Sequence, residues 1–438
     1  MREIIRQKIV DSLSSPLPDF TRRDIQLPAI RGKAVAVIGM RRTGKSTFLW
    51  QVISDRHSAG TARERLLYFG FEDERLAGMK SSDLQILVEE YYRLYPMLRD
   101  KSRAIFFLDE IQVVAGWEGF ARRLLETEKV DLFLSGSSAR LLSREVATSM
   151  RGRALEVLIH PFSFKEYLRH LGREPRVEPE RFQKAVRSAV DKDLRQYLRE
   201  GGFPESVGAS QRDRTNLLRS YVDVALLRDV IERHEVSHPV ALRWMTRQLL
   251  ANAAGSFSVS KFYNDLRSQG IAVAKDTLHE YLAYLEDAFL IRTVSISSKS
   301  ERRIMVNPRK VYPVDPGLIP IFDPTGQPNV GHALETCVML ELERRGAEIS
   351  YVRNETGSEV DFLVRYPDGV RALIQVAYDI HSPDVQNREV RGLVDALAEN
   401  KGVTAHLIAL ESEKIPNLPE SIHLHNAGDW LLESGLEN

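Results

Sequence analysis

The chain has 438 residues, 43% of them hydrophobic and 28% charged, the composition of a soluble globular protein able to bury large cores. At ~100–200 residues per domain it is too long for one core and predicts about three domains. Lys+Arg and Asp+Glu balance at 61 each, so any affinity for nucleic acid has to come from local patches, and a lone cysteine, Cys337, excludes an internal disulfide and cysteine-built metal clusters.

The N-terminus, Met1-Arg2-Glu3-Ile4-Ile5-Arg6-Gln7-Lys8, is charged throughout. No apolar run reaches the ~18 residues a membrane helix needs, which points to the cytoplasm and to no membrane partner. Ile4, Ile5, Ile9, Val10 and Leu13 mark a short amphipathic helix, and Pro16, Pro18 and Pro28 then keep the path extended. Residues 1–31 are thus a lead-in, a candidate clasp on a neighbouring subunit.

The apolar run 34–38 reads as a buried strand, and Gly39-Met40-Arg41-Arg42-Thr43-Gly44-Lys45-Ser46 follows it with the spacing G-x-x-x-x-G-K-[ST]. That spacing suits a triphosphate. Glycines let backbone N–H groups turn inward around the phosphates, Lys45 adds a point charge, and the Ser46 hydroxyl suits Mg²⁺. From Thr47 the chain continues as a helix whose positive end faces the phosphates. ATP and Mg²⁺ are the expected ligands.

A second strand spans 66–71 and a helix 82–94. The strand 104–108 delivers Asp109 and Glu110 at its C-terminal end, where open α/β sheets place ligands. There Asp109 would serve the Mg²⁺ directly or through water, and Glu110 would deprotonate the attacking water. The extra strand and this glutamate favour the ATPase branch of P-loop proteins, an ASCE-type parallel sheet. No Asn-Lys-x-Asp motif speaks for a GTPase.

The next strand, 131–134, ends in Ser135-Gly136-Ser137-Ser138. Ser135 or Ser137 would sense the γ-phosphate or the water, with Ser138 as a helix cap. Arginines at 140, 144, 151 and 153 follow. They suit a polyanion across a subunit boundary as well as a solvated face, and Arg153 is the preferred residue to complete a neighbour's site in a homo-oligomer.

After the strand 154–159, Ser163 and Glu166 form a capping box. Residues 171–236 read as a helical lid broken by Gly201-Gly202-Phe203-Pro204-Glu205. Helices at 242–254, 259–267 and 275–289, then strands on either side of Ser297-Ser298-Lys299-Ser300-Glu301-Arg302-Arg303, give a winged-helix pattern over 237–310. Lys299, Arg302, Arg303, Arg309 and Lys310 form its basic tip and would meet DNA phosphates without reading sequence. Asp276, Glu280, Glu286 and Asp287 on the presumed recognition helix would repel a duplex. In 311–438, a helix at 333–345 and strands at 349–353, 359–364 and 371–376 set out Glu335, Asp361 and Gln375 in the order of a nuclease metal site. Ala377 stands where the water-activating lysine belongs, so this site is expected to be vestigial and cleavage weak or absent.

Arg41-Arg42 in the loop, Leu108-Asp109-Glu110-Ile111-Gln112, Ser135-Gly136-Ser137-Ser138, Arg151-Gly152-Arg153, Pro161-Phe162-Ser163-Phe164, Gly201-Gly202-Phe203-Pro204-Glu205 and Glu359-Val360-Asp361-Phe362 form a specific set. In these the chain resembles a family of prokaryotic AAA-type ATPases, related to STAND-like archaeal ATPases, with a winged helix and a C-terminal restriction-endonuclease-like domain. The resemblance implies a fold: an α/β P-loop core over 32–170 with a helical lid, a winged helix and a PD-(D/E)XK-like C-terminal α/β domain. It also implies ATP binding and hydrolysis, with Pro204 near the adenine. Three activities compete beyond that: a motor or switch on DNA, a nucleotide-controlled scaffold or signalling ATPase that recruits a protein, and, despite Ala377, an active nuclease.

Overall fold

The computed structural model describes residues 1–136, 150, 152–326, 329–354, 357–411, 415 and 418–433. These fall into two compact units, Met1–His160 with Asp287–Phe289, and Pro161–Glu286 with Leu290–Asn438.

In the first unit five strands form one sheet in the order β2-β3-β4-β1-β5, with every neighbouring pair parallel. They are β1 Ala34–Ile38, β2 Leu66–Gly70, β3 Ala104–Asp109, β4 Val130–Gly136 and β5 Ala154–Leu158. The inner strands are near-continuous apolar runs because a parallel sheet is covered on both faces, and β1 and β3 are buried at every position, whereas the edge strand β5 buries only Val157. Helix α2, Lys45–Ser58, packs Phe48, Leu49, Val52 and Ile53 against Val35, Val37, Ile105, Phe107 and Phe133 of the sheet. Each such burial contributes about 1.5–3 kcal/mol. Strand β4 lies between β1 and β3, pairing Val37 with Ser135 and Leu108 with Leu134. The C-terminal ends of β1, β3 and β4 therefore reach the same edge.

Helix α1, Arg2–Ser14, the candidate clasp, packs Ile5, Ile9 and Leu13 on its own unit, against β2 and helix α3, Leu84–Leu94. Arg2 pairs with Glu89 and Glu90, and Lys8 with Asp73. Val10, grouped with the apolar stripe in sequence, is exposed. Helix α4, Trp117–Thr127, completes the described helices of this unit.

The second unit begins with α5, Phe164–His170, whose capping box of Ser163 and Glu166 forms as expected. Helices α6, Lys184–Glu200, and α7, Gln211–Val224, follow, and a π-helical stretch, Ala225–Ile231, extends α7. Between α6 and α7 the Gly201-Gly202 corner closes on Asp315: the Gly202 N–H donates to Oδ2 at 2.7 Å, and a Cβ on Gly201 would lie 1.8 Å from Oδ1. Only glycine fits there, at φ +78°.

Helices α8, Pro239–Ala251, α9, Val259–Ser268, and α10, Lys275–Asp287, accompany a three-stranded antiparallel sheet of order β6-β8-β7, whose first strand lies between α8 and α9 in the chain. Its strands are β6 Ser256–Phe257, β7 Ile291–Val294 and β8 Arg309–Pro313. The connection from β7 to β8 contains a short helix, α11, Glu301–Val306, where a plain hairpin tip was expected. After the turn α12, Ile319–Phe322, helix α13, Val330–Arg344, is buried over most of its circumference and includes Cys337. It lies on a mixed sheet of order β13-β12-β11-β10-β9, from β9 Glu348–Arg353, β10 Glu359–Arg365, β11 Arg371–Ala377, β12 Thr404–Ala409 and β13 Ile422–Asn426. Helix α14, Pro383–Glu399, packs on β10–β12, and α15, Ala427–Leu432, ends the described fold.

Candidate functional site

The turn after β1 begins at Gly39, φ +148°, where an added Cβ would lie 2.3 Å from the Ile159 carbonyl oxygen. Gly44, φ +97°, caps α2 in the left-handed region. Between them Arg42 takes φ +68°, and the buried Thr43 hydroxyl donates to the Met40 carbonyl at 2.9 Å. Arg41 pairs with Glu72 at 3.4 Å, and Thr47 is exposed on the first turn of α2. The loop is also held from behind. Arg23, buried in the lead-in, donates to the carbonyls of Thr43 at 3.0 Å and His160 at 2.6 Å, while the Gln51 amide grips the Arg23 backbone at both N–H and C=O.

Lys45 is only 5% exposed. Its ammonium donates to the Met40 carbonyl at 3.1 Å and stands 3.8 Å from Glu110 Oε1. Glu110 occupies the left-handed region at φ +53°, a strained conformation for a non-glycine residue and one found at sites where geometry serves chemistry. Burial pushes its carboxyl above the ordinary glutamate value, Lys45 pulls it back, and the Gln112 amide donates to Oε2. A carboxylate raised in this way is a better base.

Asp109 is buried and held by two hydroxyls. Ser135 donates to Oδ1, and Tyr68 donates to Oδ2 at 2.5 Å. Ser135 Oγ also accepts the Glu110 N–H at 3.0 Å, so the residue expected to sense the phosphate ties the two acids to β4. Ser137, the other sensor assigned in the sequence, lies outside the described residues, as do Ser138, Arg140, Arg144 and Arg151. Tyr68 was missed. Its hydroxyl shares a hydrogen bond with Ser46 as well, linking the two residues expected to serve Mg²⁺, and burial beside Asp109 raises its pKa. Its ring packs on Trp50 at 4.5 Å. Tyr68 itself was the available signal, since it breaks an otherwise apolar strand with a polar handle.

Arg153 precedes β5 and so sits at the N-terminal end of the sheet. The five residues of β5 at ~3.3 Å each put it about 16 Å from the phosphate edge of its own chain. It pairs with Glu126. Pro204 belongs to the second unit, where it opens the turn Pro204–Ser206.

The structure also brings Glu335, Asp361 and Gln375 together in the second unit, but around a lysine. Lys310 Nζ lies 3.0 Å from Glu335 Oε1, 3.0 Å from Glu359 Oε1 and 2.8 Å from Asp361 Oδ1. Gln375 Oε1 accepts the Asp361 N–H at 3.2 Å. Lys310 is thus withdrawn from the basic tip, where the sequence placed it, and Arg309 stands 3.7 Å from Glu286. Among the described residues, no group of three or more His, Cys, Asp and Glu is arranged to hold a metal ion. No helix among them is long and apolar enough to cross a membrane.

An AAA-domain family model matches residues 31–168, and a domain of unknown function, DUF8612, matches 191–327. The chain is 32% identical over 404 residues to the uncharacterized protein MJ1544 of Methanocaldococcus jannaschii, an alignment covering 91% of this chain and 86% of that one. An uncharacterized protein of Haemophilus influenzae is 30% identical over 347 residues, 78% of this chain and 82% of its own. Among solved structures, the Walker-type ATPase PABY2304 of Pyrococcus abyssi aligns at 15% identity and a TM-score of 0.41, over 74% of this chain and 95% of that one.

Proposed function

The chain belongs to the AAA-domain family that it shares with MJ1544, and from that premise we propose that it is a Mg²⁺-dependent ATPase working as an oligomeric switch or motor on DNA. The observation that carries the reading is the convergence of Lys45, Ser46, Asp109 and Glu110 at one sheet edge, with a buried ammonium 3.8 Å from a carboxylate raised by burial. A hydroxyl and a carboxylate are the donors a hard cation takes, so Ser46 and Asp109 would hold Mg²⁺, which supplies charge to the phosphate oxygens when bound.

The chain's own residues do the rest. Backbone N–H groups from Gly39 to Ser46 and the positive end of α2 bind the phosphates, and Lys45 exchanges its bond to Met40 for one to the nucleotide. Glu110 takes the proton of the attacking water, and Ser135 and Tyr68 keep the acid pair oriented. Arg153 lies too far from its own phosphate edge to act there, which suits a role across a subunit boundary. Pro204 is assigned to the adenine.

The three helices and three-stranded sheet over 237–310 are read as a winged helix, with Lys299, Arg302 and Arg303 on DNA phosphates. The sheet of β9–β13 with α13 and α14 is read as a restriction-endonuclease-like domain without cleavage. A protein-recruiting scaffold is the second reading, favoured by the exposed Asp276 and Glu280 on α10 and by the loss of Lys310 from the tip. The test has two stages. Lys45→Ala abolishes ATP binding while Glu110→Gln binds and does not turn over; equal turnover in Glu110→Gln would sink the assignment of the base. DNA then accelerates wild-type hydrolysis, and charge reversal at Arg302 and Arg303 removes the acceleration. Indifference to DNA of any structure at low salt transfers the proposal to the scaffold.

A further inference from the structure

The acids of the second unit have the chemistry of a cation centre, and they already contain a cation. The Lys310 side chain, 4% exposed, leaves β8 and directs its ammonium at Glu335 on α13 and at Glu359 and Asp361 on β10, all within 3.0 Å. Tyr312 is two residues further on and therefore on the same face of β8. Its hydroxyl donates to the same Glu335 oxygen at 2.8 Å. Asp361 Oδ2 is engaged as well, taking the Val376 N–H at 3.0 Å.

We propose that this is a cation site whose resident ion is the chain's own ammonium. Lys310 takes the place a divalent metal would occupy between Glu335 and Asp361, and by doing so it pins the three-stranded sheet to the five-stranded one. An ammonium has three donors; here it donates to Glu335 and Asp361 and faces Glu359 as an ion pair at 3.0 Å. The separations are those of charge-assisted N–H···O bonds, whereas Mg²⁺ would draw six oxygens in to about 2.1 Å. A metal entering here would have to expel Lys310 into a buried position with no counter-charge, which is strongly unfavourable. A fixed ion needs no binding event, so the joint stays closed whatever the Mg²⁺ concentration. It follows that the C-terminal sheet is a structural partner of the wing and not a metal-dependent hydrolase.

The experiment counts Mn²⁺ on the nucleotide-free full chain by electron paramagnetic resonance in wild type, Lys310→Met and Lys310→Met/Asp361→Asn. Lys310→Met is expected to gain a single Mn²⁺, bound at least about tenfold more tightly than any Mn²⁺ on wild type, and the double variant to lose it. Should Lys310→Met unfold in chelator, recovery of its circular dichroism on adding Mn²⁺ supports the proposal equally. Failure to take up Mn²⁺ in either state overturns it. So does a wild-type Mn²⁺ site, or Mn²⁺-dependent cutting of plasmid DNA, that Asp361→Asn abolishes.

Discussion

Lys45 and Lys310 are both buried lysines beside carboxylates, yet they serve opposite ends. Lys45 keeps 3.8 Å from Glu110 and spends a donor on a carbonyl of its own loop, whereas Lys310 is closed on three carboxylates at 2.8–3.0 Å. The surroundings explain the difference. Lys45 stands on the first turn of α2, where the positive end of the helix adds potential and invites an anion from outside. Lys310 projects from a strand that contributes no such pole, towards acids from two other elements. A buried ammonium marks a ligand site when the nearest acid is held back from it, and a structural joint when the acids close on it.

The largest effect should come from the acid on the open side. Glu110→Gln preserves shape and the Gln112 contact region but removes the base, and single-turnover hydrolysis should fall by about 10²–10⁴ while ATP binding holds. Next is the closed side. Lys310→Met leaves three buried or half-buried carboxylates without their counter-ion, which should cost about 3–5 kcal/mol in denaturant unfolding of the metal-free protein. ATP turnover should be unchanged. If both lysines proved equally dispensable to stability, the contrast between open and closed ammonium would fail.

The open site was far more legible in the sequence than the closed one, for a physical reason. A phosphate loop is a local object: Gly39, Gly44, Lys45 and Ser46 have to be close in sequence because one turn and one helix end build the cradle. Asp109-Glu110 was readable because an apolar run before it fixes a strand end. The Lys310 joint is made from β8, α13 and β10, elements separated by up to 51 residues, and no spacing rule links them. One clue was present. Lys310 opens the run Val311-Tyr312-Pro313-Val314, and β8 is a middle strand buried on both faces, so a lysine there has to find acids. The lead-in helix shows the converse. Its amphipathic stripe was visible, but periodicity gives the face and not the partner.

Tyr68→Phe tests how much of the open site depends on a hydroxyl that the loop spacing does not reveal. The ring and its packing on Trp50 survive, and only the bonds to Asp109 and Ser46 go. Half-saturation in Mg²⁺ should rise about tenfold, the loss of one charge-assisted hydrogen bond, with nucleotide affinity in chelator unchanged. A uniform loss of both would assign Tyr68 to packing alone.

Asp315 supplies the sharpest contrast, because it is a buried acid with no ammonium in contact. It accepts N–H bonds from Gly202 at 2.7 Å and Gly317 at 2.8 Å, and burial pushes its carboxyl up to about 7 even so. The sign follows from proton counting. With a folded pKa above the unfolded one, the folded corner holds a proton that the unfolded chain has released, so its stability is full below about pH 4 and declines as pH rises towards 7. The Gly202 amide reports this opening directly through hydrogen exchange, corrected for the intrinsic rate. Between pH 5 and 7 its protection should fall by about 2 kcal/mol in wild type and stay level in Asp315→Asn, whose amide imitates the protonated acid at both pH values. Equal slopes in the two proteins would mean that two backbone N–H groups suffice for a buried carboxylate, and the three acids around Lys310 would then not need their ammonium either.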